Sequence, residues 1–305
     1  MTSSRDLQRR ALAVLAAGLL AAAGLAGCGG GSEDEADLYV YVGGTMRPAM
    51  EELIRMYQDK TGLAIYADYG GSGENMIKVE TSGKGDLYVA HDPFHAAMVK
   101  KGLATDGWTV AVLKPEIAVP RGNPKNIQGL KDLTRDGLRV VLTHEQYSTT
   151  GHIVDVMFEK AGITDAIRKN IATRTRGGGE AANQVILGHA DAAIVWDAII
   201  RSHADKLDLV PVAPEHRPQP GVDAVTTATY GVIDMSQVKV TMDLLKFSTH
   251  PDEARALAEY VASDDGAAVW KKLGFTMPTG PSHIGAEMTA APPAETPAET
   301  TGGGT

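Results

Sequence analysis

Tyr69-Gly70-Gly71-Ser72-Gly73-Glu74-Asn75 follows an extended apolar run, Leu63-Ala64-Ile65-Tyr66-Ala67, and precedes a helical pattern through Met76, Ile77 and Val79 that ends near Ser82-Gly83. The order predicts strand, glycine-rich turn, helix. Such a turn presents backbone N–H groups at the positive end of a helix, where an anion is favoured. Ser72 adds a neutral hydroxyl at the expected N-cap. Taken alone, the stretch fits a tight turn with a capping serine as well as an anion site. Its meaning depends on how many similar turns the chain holds.

Upstream, Leu38-Tyr39-Val40-Tyr41-Val42 reads as a strand that ends in Gly43-Gly44-Thr45. A helix follows with Met46, Met50, Leu53, Ile54 and Tyr57 on one side, Pro48 in its first turn and Gly62 as its stop. Downstream, residues 85–90 read as a third strand ending at His91-Asp92-Pro93, with a helix over 94–101. Strand and helix alternating at this spacing predict βαβ units and a parallel sheet. The second half repeats the grammar. Residues 117–120, 138–142, 192–196 and 207–211 read as strands, and 129–133 as a short helix. The strand at 138–142 runs into Ser148-Thr149-Thr150-Gly151 and a helix reaching Gly162, and Gly177-Gly178-Gly179-Glu180 opens a helix closed by Gly188. Tyr230-Gly231-Val232-Ile233 reads as a strand returning to the first lobe, followed by helices over 239–247, 253–262 and 267–273.

The ends of the chain read differently. Arg5, Arg9 and Arg10 precede an apolar run that stops at Leu25-Ala26-Gly27-Cys28, so residues 1–27 read as a lipoprotein signal with lipid attachment at Cys28. Residues 28–37 form a glycine- and acid-rich tether, and 281–305 a disordered tail of Pro, Ala, Thr, Glu and Gly. Cys28 is the single cysteine, so no disulfide forms within the chain and a hydrophobic core must hold the fold. The formal net charge is −9, and loss of the three signal arginines makes the mature chain more acidic still. So acidic a protein is not expected to bind nucleic acid.

Four turns thus share one pattern: Gly43-Gly44-Thr45, Gly71-Ser72-Gly73, Thr149-Thr150-Gly151 and Gly177-Gly178-Gly179. In open α/β sheets such turns lie at the carboxyl ends of strands, where ligands bind. Two fall in each half, so a cleft between two lobes would present helix N-termini from both sides. Neutral N–H and hydroxyl donors suit an oxyanion that has lost its protons.

Here the chain resembles the substrate-binding proteins of bacterial molybdate ABC importers, within the type II periplasmic binding fold. The resemblance covers residues 38–278. It rests on Gly43-Gly44-Thr45-Met46, on Tyr69-Gly70-Gly71-Ser72-Gly73 and on Gly85-Asp86-Leu87-Tyr88-Val89-Ala90-His91-Asp92. It continues in Gly188-His189-Ala190-Asp191-Ala192-Ala193-Ile194-Val195-Trp196 and in Trp270-Lys271-Lys272-Leu273-Gly274-Phe275. It implies an α/β protein of two lobes, each a mostly parallel sheet flanked by helices, joined by crossover strands. Lobe 1 is then 38–113 with 230–280, and lobe 2 is 114–229. It further implies molybdate or tungstate as ligand, no cofactor, and a permease and an ATPase as partners. The protein would be a monomer, exported and lipid-anchored to the cell envelope. The family's first hydroxyl ligand falls on Thr45 and its second on Ser72. Its backbone donors fall on Thr150 and near Gly178 or Gly179. Its tyrosine hydroxyl falls on Trp196, which offers only an indole N–H, with Asp197 directly after it.

Other residues carry weaker expectations. Asp92, before Pro93, reads as a helix cap, and Arg174 and Arg176 as solvated cations. His144, Glu145, His152 and Asp197 lack regular ligand spacing, so no metal site is expected. Phosphate, sulfate or a ferric ion is the alternative ligand. No nucleophile and base stand in order, so no enzyme is expected.

Overall fold

The architecture was described from a computed structural model, over residues 36–145, 148–219, 222–223, 225–227, 231–233, 238–280 and 282–285. Cys28 and the signal, and the tail from 286 onward, lie outside the described residues.

Alternating valines and tyrosines form β1 (Leu38–Gly43), an inner strand of the first sheet. It pairs in parallel with β2 (Ile65–Gly70), in register from Leu38 with Ile65 to Gly43 with Gly70, and with β3 (Leu87–His91). Between these strands run α1 (Arg47–Thr61) and α2 (Ser72–Ser82). Each ends at a glycine in the left-handed region, Gly62 (φ 78°) or Gly83 (φ 60°), where a side chain would be strained. After α3 (Phe94–Lys100), strand β4 (Ala104–Leu113) forms the sheet edge. Through Lys114 the chain crosses directly into β5 (Pro115–Pro120) of the second sheet.

The second sheet is built on β6 (Val140–Thr143), parallel to β7 (Ile171–Thr175) and β8 (Ala192–Trp196), with β9 (Leu207–Val210) at the far edge. Its helices are α4 (Thr149–Ala161), the short α5 (Thr164–Ile167), α6 (Gly178–Ile186) and α7 (Asp197–Ser202). A separate ribbon pairs β10 (Val225–Thr227) with β11 (Gly231–Ile233). The chain then returns to the first sheet as β12 (Val238–Leu245) and ends in α8 (Pro251–Val261) and α9 (Asp264–Lys272).

The two sheets follow one plan. Strand order is β2-β1-β3-β12-β4 in one and β7-β6-β8-β5-β9 in the other. In each, three parallel strands are followed by an antiparallel strand that has just arrived from the other lobe. This is the two-lobed type II periplasmic binding architecture expected from the sequence. Among the described residues no helix is long and apolar enough to cross a membrane.

Three expectations are corrected. Residues 239–247 do not form a helix: they lie in and just after β12, which pairs with β3 and β4. Val238, Val240, Met242 and Leu244 alternate as a strand requires, but Thr241 and Asp243 are buried too. The apolar–polar alternation from Val238 to Leu244 is a strand signal, and it outweighs the helical reading of this stretch. Residues 231–233 pair with β10 rather than returning to the first lobe. Finally, Ser282–Gly285, expected in a disordered tail, lie along β4. Thr109 N–H donates to the Ser282 carbonyl (2.7 Å) and Ile284 N–H to that of Gly107 (2.9 Å). An edge strand offers unpaired groups, and this segment takes them up.

Candidate ligand-binding cleft

Every parallel strand of both sheets ends at one cleft of about 440 Å³ between the lobes. From the first lobe come Gly44 and Thr45 after β1, Ser72 after β2 and His91 at the end of β3. From the second come Ser148 and Thr149 after β6, Gly177, Gly178 and Gly179 after β7, and Trp196 at the end of β8. Backbone amides at the starts of α2, α4 and α6 therefore stand around the same space, together with a 3-10 turn over Gly44–Met46 that leads into α1. Each such terminus carries a partial positive charge.

The local geometry explains the glycines. A Cβ on Gly43 would lie 2.4 Å from Ser72 Oγ and 2.6 Å from the Met46 side chain. The end of β1 can therefore sit against the Ser72 hydroxyl only without a side chain. A Cβ on Gly178 would lie 2.8 Å from Ile199, which closes α6 against α7 in the same way. The N-cap of α2 is Gly71, not Ser72; Glu74 reaches back to accept from the Gly71 N–H (3.3 Å). Ser72 is the first helical residue, and its carbonyl accepts from the Tyr88 hydroxyl (2.8 Å).

Of the residues expected to bind, Thr45, Ser72, Gly178 and Trp196 line the cleft. Thr150 does not: it is 1% exposed, and its hydroxyl has no partner among the described residues. One residue earlier, Thr149 takes the cleft position, and its hydroxyl donates across the lobes to the Asp92 carbonyl (3.3 Å). His91 and Phe94 were not singled out as binding residues. His91 sits edge-on to both Phe94 and Trp196, with centroids 5.8 and 5.7 Å away. Its signal was position: it closes the third parallel strand, as Thr45 and Ser72 follow the first two.

Two charged residues, Arg176 and Glu180, are among those that line the cleft. Arg176 Nη2 and Glu74 Oε1 meet at 3.1 Å, one from each lobe, and both side chains are exposed. Arg174 turns away, towards Glu145 (3.3 Å), Asp155 (3.8 Å) and the Thr143 carbonyl. Burial pushes the His91 imidazole below its usual pKa, which favours the neutral ring. Its Nδ1 lies 2.9 Å from the Asp92 carbonyl and so carries the proton. Asp92 does not cap α3. It accepts from the Lys239 N–H (2.9 Å) in the antiparallel β3–β12 pairing, and burial pushes its carboxyl up to about 6.

Asp197, the carboxylate beside Trp196, is buried outside the cleft lining. It accepts from the Lys114 N–H (3.0 Å), Arg201 (3.2 Å) and the Thr276 hydroxyl (3.4 Å), bracing the crossover between lobes. It is therefore not grouped with His144, Glu145 and His152. No set of three or more His, Cys, Asp or Glu is placed to hold a metal ion among the described residues.

Comparison with known proteins agrees with this geometry. A family profile described as "Bacterial extracellular solute-binding protein" matches residues 38–276. A putative binding protein of Haemophilus influenzae is 25% identical over 245 residues, covering 80% of this chain and 92% of its own. The molybdate-binding protein ModA of Mycobacterium tuberculosis is 24% identical over 289 residues, 87% of this chain and 98% of that one. Among solved structures, the Azotobacter vinelandii periplasmic molybdate-binding protein superposes with a TM-score of 0.62 at 18% identity. It covers 80% of this chain and 100% of that one, a likeness of fold.

Proposed function

The chain belongs to the family of bacterial extracellular solute-binding proteins, and we propose that it captures a tetrahedral oxyanion, molybdate or tungstate, between its lobes for an ABC importer. The observation that carries this reading is the convergence of helix-opening turns from both sheets on one cleft that offers hydroxyl and amide donors, with the lining Arg176 paired to Glu74. An anion held there is stabilised by dipoles and by hydrogen bonds worth about 1.5–3 kcal/mol each. Thr45, Ser72 and the amides near Thr149, Thr150 and Gly178 act as donors. Trp196 and His91 wall the site.

The anion touches both lobes at once, so it favours the closed form by its differential affinity for that state. The closed protein then docks on a permease driven by an ATPase. The similar mycobacterial protein bears the name of a molybdate-binding protein, and this supports molybdate ahead of sulfate or phosphate. Cys28 carries the lipid that keeps the protein at the envelope membrane. Calorimetric titration of the mature protein with molybdate, tungstate, sulfate and phosphate tests the reading. One site per chain for molybdate or tungstate, with weaker sulfate and phosphate binding, is expected. Absence of heat with all four would contradict it.

A further inference from the structure

The cleft is larger than its anion site. A four-oxygen anion occupies the space of about four waters, on the order of 120 Å³ at about 30 Å³ each. The cleft holds about 440 Å³ although its walls already touch through Arg176 and Glu74 and through Thr149 and Asp92. The lobes thus already meet at two points, and the cleft between them still exceeds the volume of the anion. It leaves room for roughly ten further non-hydrogen atoms at a water's volume each.

That room has a defined wall. Ile199 and Ser202 of α7, and His203 just after it, line the same cavity as Leu273 and Phe275 at the exit of α9. Two polar atoms of this wall meet the carbonyl of their own helix. Ser202 Oγ donates to the Ile199 carbonyl (2.9 Å), and His203 Nδ1 lies 3.0 Å from it. What remains is mainly apolar, with Ile199 and Phe275 almost fully buried. The wall is also rigid. Arg201 donates to the Gly274 carbonyl (2.9 Å), and Gly274, at φ 88°, packs so close to Arg201 that a Cβ would lie 2.4 Å from its side chain. An apolar compartment beside an anion site suits a ligand with one charged end and one apolar end.

We infer that the cleft takes organic oxyanions: phosphate monoesters or phosphonates whose compact apolar substituent fills the compartment between α7 and the end of α9. This rests on the oxyanion reading above and extends its ligand class beyond the bare ion. The mature protein is titrated by calorimetry with molybdate, inorganic phosphate and phenyl phosphate. Phenyl phosphate is expected to bind at least tenfold tighter than inorganic phosphate. Ser202→Trp, which fills the compartment, and Leu273→Ser, which makes it polar, are each expected to cut that ratio severalfold, with folding checked by thermal melting.

Molybdate binding with phenyl phosphate no tighter than phosphate would overturn the compartment and leave the oxyanion reading standing. A high ratio unchanged in both folded variants would overturn its location. No binding of any of the three anions would overturn the oxyanion reading itself, and this inference with it.

Discussion

Arg176 and Glu74 meet at 3.1 Å across the mouth of the cleft, the arginine from the second lobe and the glutamate from the first. Exposed pairs of this kind are worth about 0–1 kcal/mol and are screened by salt. The pair is therefore a weak latch, but it cancels two charges beside the anion site. Arg176→Ala leaves Glu74 facing the anion and should weaken molybdate binding by about three- to fivefold at low salt. Glu74→Gln should leave affinity equal or raise it. Calorimetry at two salt concentrations checks both. Equal weakening by the two variants would mean that the latch matters more than the field.

Ser72 lines the cleft and is not the helix cap, since Gly71 holds that position. Ser72→Ala should weaken oxyanion binding by about ten- to a hundredfold, from a charge-assisted hydrogen bond of about 1.5–3 kcal/mol. Thermal stability should hardly change. An unaltered dissociation constant would remove Ser72 from the site.

Gly43→Ala acts on the same hydroxyl indirectly. The new methyl would collide with Ser72 Oγ and Met46. Overpacking of this kind costs about 1–3 kcal/mol. Urea unfolding should show that loss, and affinity should fall with it. Unchanged stability would mean that the strand end moves freely.

Asp92 and His91 make opposite contributions with pH. Burial raises the Asp92 pKa to about 6 from 3.8. Its stabilising share is thus fully present below about 4 and is lost as pH rises through about 6. Asp92→Asn should gain stability relative to the parent between pH 4 and 7.5, on the order of 1–3 kcal/mol. His91 is shifted down from 6.5. Its share is present above 6.5 and is lost as pH falls through the lower folded value. His91→Gln should therefore lose less stability than the parent on acidification from pH 7 to 5. Urea midpoints across this range give both slopes, and parallel curves for parent and variants would refute the assignment.

Asp197 is a brace rather than a ligand. Removing a buried carboxylate that accepts from Lys114, Arg201 and Thr276 should cost about 2–5 kcal/mol. Asp197→Ala should lower the melting temperature by several degrees, with the folded fraction still binding anion. Full stability with lost binding would reverse the assignment.

Much of the site was legible because its residues are fixed by their place after parallel strands. Thr45, Ser72 and Gly178 follow β1, β2 and β7, and the glycines around them mark close approaches. At the start of α4 two threonines stand side by side: the Thr149 side chain lines the cleft, while Thr150, expected as a backbone donor, keeps its side chain buried. Leu273 and Phe275 reach the cleft where the chain leaving α9 meets α7 through Gly274 and Arg201, a contact with no local signature. The β12 misreading is of another kind: Val238 to Leu244 alternate apolar and polar, a strand signal that the helical reading passed over. Arg174 and Arg176 look alike in sequence, yet Arg174, within β7, meets Glu145, and Arg176, just past its end, meets Glu74.

A crystal structure of the mature protein with molybdate bound tests the central claim most directly. The account predicts that the oxygens lie within hydrogen-bonding distance of the Thr45 and Ser72 hydroxyls and of main-chain amides at the starts of α4 and α6. An anion held instead by Arg176, a protonated histidine or a metal ion, or lodged outside the cleft, would contradict it.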